Sequence, residues 1–299
     1  MATPLILAPT CAGCPAAPGL RHGPAAVLAR LDPAALDVRR PDVGDGTPPA
    51  LLRAVRPVAR RVAAAGDVPI ILGGDHTVAV PSVLGVRDGL RLRYGRDVPL
   101  FVLWLDAHPD VNTPETSPTG NLHGMVLSGL LGAGPLAVEE PLPAERVVLA
   151  GVRQFDPGEL AFLQARPEIE LWDVETLRGD GWVPAAEALL ARVADAGGRL
   201  YASLDLDVID PAYAPGVAVP ERHGAHPASI MRLLRRLRES GLLAGADVVE
   251  LNPPADEQAR TAQLAVEALQ ALGAVGSVAS VASAAALAGG PSPLAVGEG

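Results

Sequence analysis

Leu100-Phe101-Val102-Leu103-Trp104-Leu105-Asp106-Ala107-His108-Pro109-Asp110 is the stretch that decides how this 299-residue chain folds. Its first six residues are apolar without alternation, which predicts a strand covered on both faces. Working outward, similar short runs stand at Leu5 to Ala8, Pro69 to Leu72, Arg146 to Ala150, Glu168 to Trp172, Leu200 to Leu204 and Asp247 to Leu251. Stretches of helical spacing separate them: Pro24 to Leu31, Ala50 to Ala65, Val78 to Tyr94, Gly124 to Leu131, Gly158 to Ala165, Pro184 to Ala196, Pro227 to Ser240 and Arg260 to Leu272. Strand and helix in alternation mean βαβ units, hence an α/β fold with a central, mostly parallel sheet and helices on both faces. No short repeat and no linker interrupts it, and the Pro/Gly-rich stretch from Val43 to Pro49 reads as a loop. A single domain is expected over residues 1–276, followed by an Ala/Gly/Ser-rich tail over 277–299 that reads as a frayed helix or a disordered end.

Ionisable residues follow three of the apolar runs. Gly73-Gly74-Asp75-His76-Thr77 comes after Ile70-Ile71-Leu72, Asp106 to Asp110 after Leu103-Trp104-Leu105, and Asp205-Leu206-Asp207 after Tyr201-Ala202-Ser203-Leu204. In a doubly covered parallel sheet the active site lies beyond the C-terminal strand ends, where all three fall. In the second and third segments acids and imidazoles recur at every second residue, which on an extended backbone keeps them on one side. Burying so many carboxylates costs several kcal/mol per uncompensated charge, and metal ions are the natural compensation. Four carboxylates and two imidazoles without a thiolate suit Mn²⁺ better than structural zinc. Bridging carboxylates allow two such ions about 3.5–4 Å apart, a spacing that activates a shared water. Taken alone, Asp75 could simply cap a helix and Asp205-Leu206-Asp207 could be a surface turn. Three ligand-type residues at alternate positions directly after an apolar strand have no such plain reading.

Acidic residues outnumber basic ones by 34 to 24, and the net charge is −10. That excess argues against nucleic acid, whose phosphates need clustered cations, and favours a small cationic substrate. Every basic residue is Arg, which carries no mechanistic weight here. Met1 to Pro9 lacks the basic start and long apolar core of a secretory signal, and no segment has about 18 strongly apolar residues in a row, so a cytoplasmic protein without a membrane partner is expected. The only cysteines, Cys11 and Cys14, form a CxxC followed by Pro15, Pro18 and Gly19 rather than by a helix start, and read as reduced bystanders. His22, His223 and His226 have no motif around them and read as surface groups.

The three ligand segments, in this order and at these separations, resemble the metal motifs of the ureohydrolase (arginase/agmatinase) family. The similarity reaches from Leu20-Arg21-His22-Gly23-Pro24 to the stretch Ala246 to Leu272. It implies an eight-stranded parallel sheet, two Mn²⁺ per subunit and a homo-oligomer, either trimer or hexamer. By resemblance Asp106 and Asp205 bridge the metals, His76 and Asp110 complete one ion, and His108 and Asp207 the other. The segment Asn112 to Gly124 is similar to the arginase branch. There Asn112 and Thr119, with Asn121 beside them, are expected to hold a substrate α-carboxylate, and His123 to shuttle a proton. Asp156 falls where the family binds the α-amino group, and Glu250 matches the glutamate facing the guanidinium, so His123, Glu250 and Asp110 form the expected catalytic set. From the residues alone, turn chemistry would account for Asn112 and Thr119, a helix start for His123, a helix cap for Asp156 and a strand-end ion pair for Glu250.

Arginine or a close analogue is thus the expected substrate. Val217-Ala218-Val219-Pro220 stands where the family usually has a TGTP-like stretch, and Pro215 to Val217 is similar to formimidoylglutamate hydrolases. Asn112 to Gly129 also resembles hydrolases of Nω-hydroxyarginine. Formimidoylglutamase, agmatinase, guanidinobutyrase and hydroxyarginine amidinohydrolase remain open as alternatives. So does a catalytically silent, metal-binding subunit.

Overall fold

The computed structural model describes residues 3–275. The expected tail, 277–299, lies outside that range. Eight strands form one sheet: β1 (Leu5–Ala8), β2 (Val38–Arg39), β3 (Ile70–Gly73), β4 (Leu100–Leu105), β5 (Val147–Ala150), β6 (Glu170–Trp172), β7 (Arg199–Asp205) and β8 (Leu243–Val249). Their order is β2-β1-β3-β8-β7-β4-β5-β6, and every pairing between them is parallel. The helices are α1 (Gly23–Leu28), α2 (Pro48–Ala65), α3 (Ala79–Tyr94), α4 (Val126–Leu130), α5 (Pro157–Gln164), α6 (Trp182–Asp195), α7 (Pro227–Glu239) and α8 (Arg260–Ala271).

The deciding strand shows why its sequence does not alternate. Phe101, Leu103 and Leu105 of β4 enter a core shared with α1, α6, α7 and α8, whereas Leu100, Val102 and Trp104 enter another with α3, α4 and α5. Both sets are apolar because both faces are covered. In β3, Ile70 and Leu72 likewise join the first core while Ile71 packs under α2. Among the described residues no helix is long and apolar enough to cross a membrane.

Several elements differ from the sequence reading, three of them instructively. The eighth strand, β2, has only two residues and sits at the sheet edge, half-buried and exposed, so no apolar run announces it. β8 begins at Leu243 rather than Asp247, because Ala244, Gly245 and Ala246 are too small to stand out as an apolar run. It also ends at Val249, which leaves Glu250 just beyond the strand. α4 starts two residues later than expected, after a 3₁₀ turn over Leu122–Met125.

Candidate metal centre and adjoining cavity

The four central strands β3, β8, β7 and β4 are neighbours, and each releases chemistry at its C-terminal end. β3 leads to His76, β4 to Asp106, His108 and Asp110, β7 ends on Asp205 before Asp207, and β8 precedes Glu250. The expected extended backbone holds only in part. β4 stops at Leu105, Asp207 lies in a 3₁₀ turn over Leu206–Val208, and Asp110 has φ +54°. The acids therefore converge by turning rather than by pleat. A short turn lets each carboxylate accept from a nearby backbone amide, which a straight strand would not: Asp106 Oδ1 accepts from His108 N–H (2.7 Å) and Asp205 Oδ1 from Asp207 N–H (2.8 Å). Asp207 Oδ1 also accepts from Ala107 N–H at 2.9 Å, which ties the two segments together.

Asp110 and Glu250 (φ +68°) both occupy the left-handed region, a conformation that costs a non-glycine residue about 1–3 kcal/mol. Glu250 is locked there from both directions. Its N–H donates to the Gly74 carbonyl at 2.8 Å, and its Oε1 accepts from the His76 backbone N–H at 2.8 Å.

His76 Nε2 lies 2.8 Å from Ser203 Oγ, and that hydroxyl donates to Asp247 Oδ1 at 2.7 Å. With its only proton committed to Asp247, Ser203 must accept from His76, so in the neutral ring Nδ1 carries the lone pair. Nδ1 is within 3.1–3.5 Å of oxygens from Asp106, Asp110 and Asp205, yet it is buried without a hydrogen-bond partner. A lone pair facing three carboxylates at that distance is a place for a cation. His108 Nδ1 stands 2.9 Å from Asp207 Oδ2 and 3.5 Å from Asp106 Oδ1, with Nε2 again unpartnered. Two groups of potential ligands result, His76/Asp106/Asp205 and Asp106/His108/Asp207, and they share Asp106. Asp205 falls in one group, and Asp110 adjoins the first through His76. The residues present thus fit a pair of hard or intermediate cations.

Without a cation the cluster is electrostatically frustrated. Burial, reinforced by the Asp106 charge, pushes both Asp110 and Asp207 up to about 6. Burial and the acids Asp207 and Asp106 hold Asp205 well above the carboxylate range. Burial opposes charge on His108, but Asp106 and Asp207 outweigh it and push the imidazole up to about 12. Bound cations would relieve this competition for protons.

Beside the cluster opens a cavity of about 230 Å³, lined at one end by His108, Asp110, Asp205 and Asp207. Asn112, Thr119, Asn121, His123, Asp156 and Glu250 also line it, so every residue expected to touch substrate faces one space. Asn112 Nδ2 donates to Asp156 Oδ2 at 2.8 Å, and Asp156 is also the N-cap of α5, so the cap reading and the site reading are compatible. Thr119 is exposed at the rim. His123 Nδ1 faces Glu250 Oε1 at 3.0 Å. Asp75 does not join the cluster, as it accepts from Thr77 N–H (3.0 Å) and Gly13 N–H (2.8 Å) and caps the turn after β3. His22, His223 and His226 are exposed.

Sequence reasoning missed several supporting groups. Glu159 is buried in the cavity wall, accepts from Val111 N–H and Asp156 N–H, and is pushed up to about 7 chiefly by burial. Its signal was available, since Glu three residues after an Asp N-cap is a capping-box spacing. Trp104, inside the apolar run, stacks on His76 with centroids 4.2 Å apart and donates to Asp106 Oδ2 at 3.1 Å. Arg153 donates to carbonyls of Asp207 (2.7 Å), Glu221 (2.8 Å) and Arg222 (3.0 Å), which pins the loop after β7. Nothing local in the sequence marks those carbonyls as partners.

A parallel α/β sheet with a buried carboxylate–imidazole cluster at its central C-terminal ends defines a metal-site enzyme fold. A model of the Arginase family matches residues 3–274. Arginase of Agrobacterium fabrum is 38% identical over 221 residues, which span 72% of this chain and 66% of that sequence, just under two thirds. Arginase of Bacillus caldovelox is 36% identical over 228 residues, covering 72% and 74%. The crystal structure of Bacillus subtilis arginase superposes with a TM-score of 0.75 at 28% identity, over 91% of this chain and 98% of that one. The chain belongs to the arginase family, whose members are metal-dependent hydrolases acting on guanidino carbon–nitrogen bonds.

Proposed function

We propose that this chain holds two Mn²⁺ ions and hydrolyses the guanidinium group of arginine or a close analogue, with urea and an amine as products. The observation that carries the reading is the single cavity in which the imidazole–carboxylate cluster meets a polar wall 112–123 and the acids Asp156 and Glu250. His76, Asp106, His108, Asp110, Asp205 and Asp207 would hold the metals, Asp106 being common to both groups of potential ligands. When bound, the pair would supply Lewis acidity and an activated water.

The chain's own groups supply the rest. Glu250, fixed by His76 N–H, places a carboxylate where it offsets a guanidinium charge. His123, held by Glu250 at 3.0 Å, donates a proton to the departing amine. Burial disfavours the charged ring, but Glu250 and Cys14 outweigh it and keep His123 well above the ordinary imidazole range, so it is proton-bearing at neutral pH. Asn112, Thr119 and Asn121 bind an α-carboxylate, and Asp156 binds an α-amino group.

A head group read in this way favours an amino acid over its decarboxylated analogue. Val219 lines the same cavity where a hydroxyl would be usual for the family, so the panel of substrates extends beyond arginine. The test is kcat/KM of the manganese-loaded enzyme on arginine, agmatine, guanidinobutyrate, Nω-hydroxyarginine and formimidoylglutamate. Arginine or hydroxyarginine should lead. Asp156→Ala should cost the amino acid about 10–150-fold, the equivalent of one charge-assisted hydrogen bond, and agmatine less. Preference for agmatine, or an equal loss on both, would refute the amino-acid assignment while leaving the hydrolase reading in place.

A further inference from the structure

The Arg153 guanidinium meets only backbone carbonyls. Nε donates to Arg222 O (3.0 Å), Nη1 to Gly151 O (3.1 Å) and Val208 O (3.4 Å), and Nη2 to Asp207 O (2.7 Å) and Glu221 O (2.8 Å). Those bonds use the whole donor capacity of the group. A rigid planar fork with every donor spent joins three segments that are far apart in the chain: the end of β5, the turn after β7 and residues 221–222. Gly151, at φ +91°, permits the approach, since a Cβ there would stand 2.6 Å from Val208 Cγ2.

The backbone of the same stretch reaches a fourth segment. Arg153 N–H and Gln154 N–H both donate to the Ala107 carbonyl, at 2.9 and 3.1 Å, and Ala107 stands between Asp106 and His108. Ala107 N–H in turn donates to Asp207 Oδ1 at 2.9 Å. Asp106, His108 and Asp207 make up one whole group of potential ligands, and each is either bonded to Arg153 or next in sequence to a residue that is. The other group depends on different supports. His76 faces Ser203 Oγ at 2.8 Å, and the carbonyl of its neighbour Asp110 accepts from Leu127 N–H at 3.0 Å.

Resting on the reading of the cluster as a two-manganese centre, we propose that Arg153 is a positioning residue for one of the two ions, the one that His108 and Asp207 would hold. The guanidinium sets the Asp207 turn against the His108 turn, so its loss loosens that ion and leaves the His76 ion in place. Partners that orient metal ligands from outside are typically worth about 10–100-fold in metal affinity. Lysine is no replacement, because three donors on one nitrogen cannot reach carbonyls on three separate segments.

The test titrates Mn²⁺ into the full-length metal-free protein and measures both dissociation constants. It compares the natural chain with Arg153→Lys, Arg153→Gln and the control Arg236→Ala, which breaks an exposed pair with Glu187. The control should match the natural chain. Both Arg153 variants should hold one ion as the natural chain does and the other about 10–100-fold more weakly. Paired with His108→Ala, which removes a ligand of the affected ion, Arg153→Lys should not weaken the remaining ion further. A second readout needs no change at Arg153. In the natural chain Mn²⁺ should slow amide hydrogen exchange over residues 151–154 and 221–222, which carry no ligand, and in His108→Ala it should not. Natural constants in both Arg153 variants, an equal weakening of both ions, or exchange over these residues that ignores Mn²⁺ or slows equally in His108→Ala overturns the proposal. A natural chain that binds no Mn²⁺ overturns the two-metal reading and this inference with it. Two ions bound by the natural chain and held just as tightly by both Arg153 variants overturn this inference alone.

Discussion

Asp106 and His123 are both candidate site residues, and the proposed function gives them opposite duties. Asp106 belongs to both potential ligand groups and is positioned by Trp104 Nε1–H and His108 N–H, which suits the proposed metal ligand. His123 belongs to neither group and faces Glu250 Oε1 at 3.0 Å, which suits the proposed proton donor. Asp106→Ala should therefore lower manganese content at both sites together and abolish turnover, because one lost carboxylate disturbs two ions. His123→Ala should leave manganese content unchanged and reduce kcat by about 10²–10⁴-fold, the range of a lost general acid. Metal analysis and steady-state kinetics on the two variants check this directly. Full manganese occupancy with natural turnover in Asp106→Ala would rule out the shared-ligand centre, and an unaltered kcat in His123→Ala would make that ring a bystander.

At the scale of elements, the pairing of α2 with α3 shows what sequence patterning leaves implicit. Both helices were legible from spacing, but their contact distance was not. It is set by Gly85 of α3, where a Cβ would stand 2.6 Å from the Arg56 carbonyl and 2.8 Å from Ala59 Cβ. Gly85→Leu should force the helices apart and destabilise the fold by about 1–3 kcal/mol, more than the roughly 1 kcal/mol that removing a helical glycine returns. Thermal unfolding of the manganese-loaded protein measures it, and an unchanged midpoint would contradict so close an approach. The same contrast runs through the chain. β4 was readable because both faces of one strand must be apolar, and its ligands because no cheaper use exists for Asp106, His108 and Asp110 together. β2 was not readable, because two edge residues carry no pattern. The turns at Asp110 and Glu250 were also hidden, because a non-glycine residue in the left-handed region is set by tertiary bonds such as Glu250 N–H to Gly74 O.

For the molecule as a whole, stability and metal binding are linked through the same protons. Asp110 and Asp207 rise to about 6 in the folded protein, above the ordinary carboxylate value. Between about pH 4 and 6 the metal-free fold therefore holds protons that the unfolded chain has released, so its stability falls as pH rises through that window. His108, raised to about 12, and His76, also raised, act in the same direction. Their stabilisation is complete below the unfolded imidazole value of about 6.5 and drains away as pH climbs toward the folded one. Every one of these groups must give up its proton to bind a metal, so affinity for Mn²⁺ rises over the range in which the metal-free protein weakens. At 100-fold excess over Kd the gain is about 2.7 kcal/mol per site, roughly 4–5 °C in Tm for a domain of this size. Melting curves with chelator and with a fixed excess of Mn²⁺ should thus diverge as pH rises from about 5.5 to about 8, the metal-free midpoint falling and the manganese-induced shift growing. A shift of equal size at each pH would mean that protons and metal do not compete for these side chains, and the cluster of His76, Asp106, His108, Asp110, Asp205 and Asp207 would not be where the ions bind.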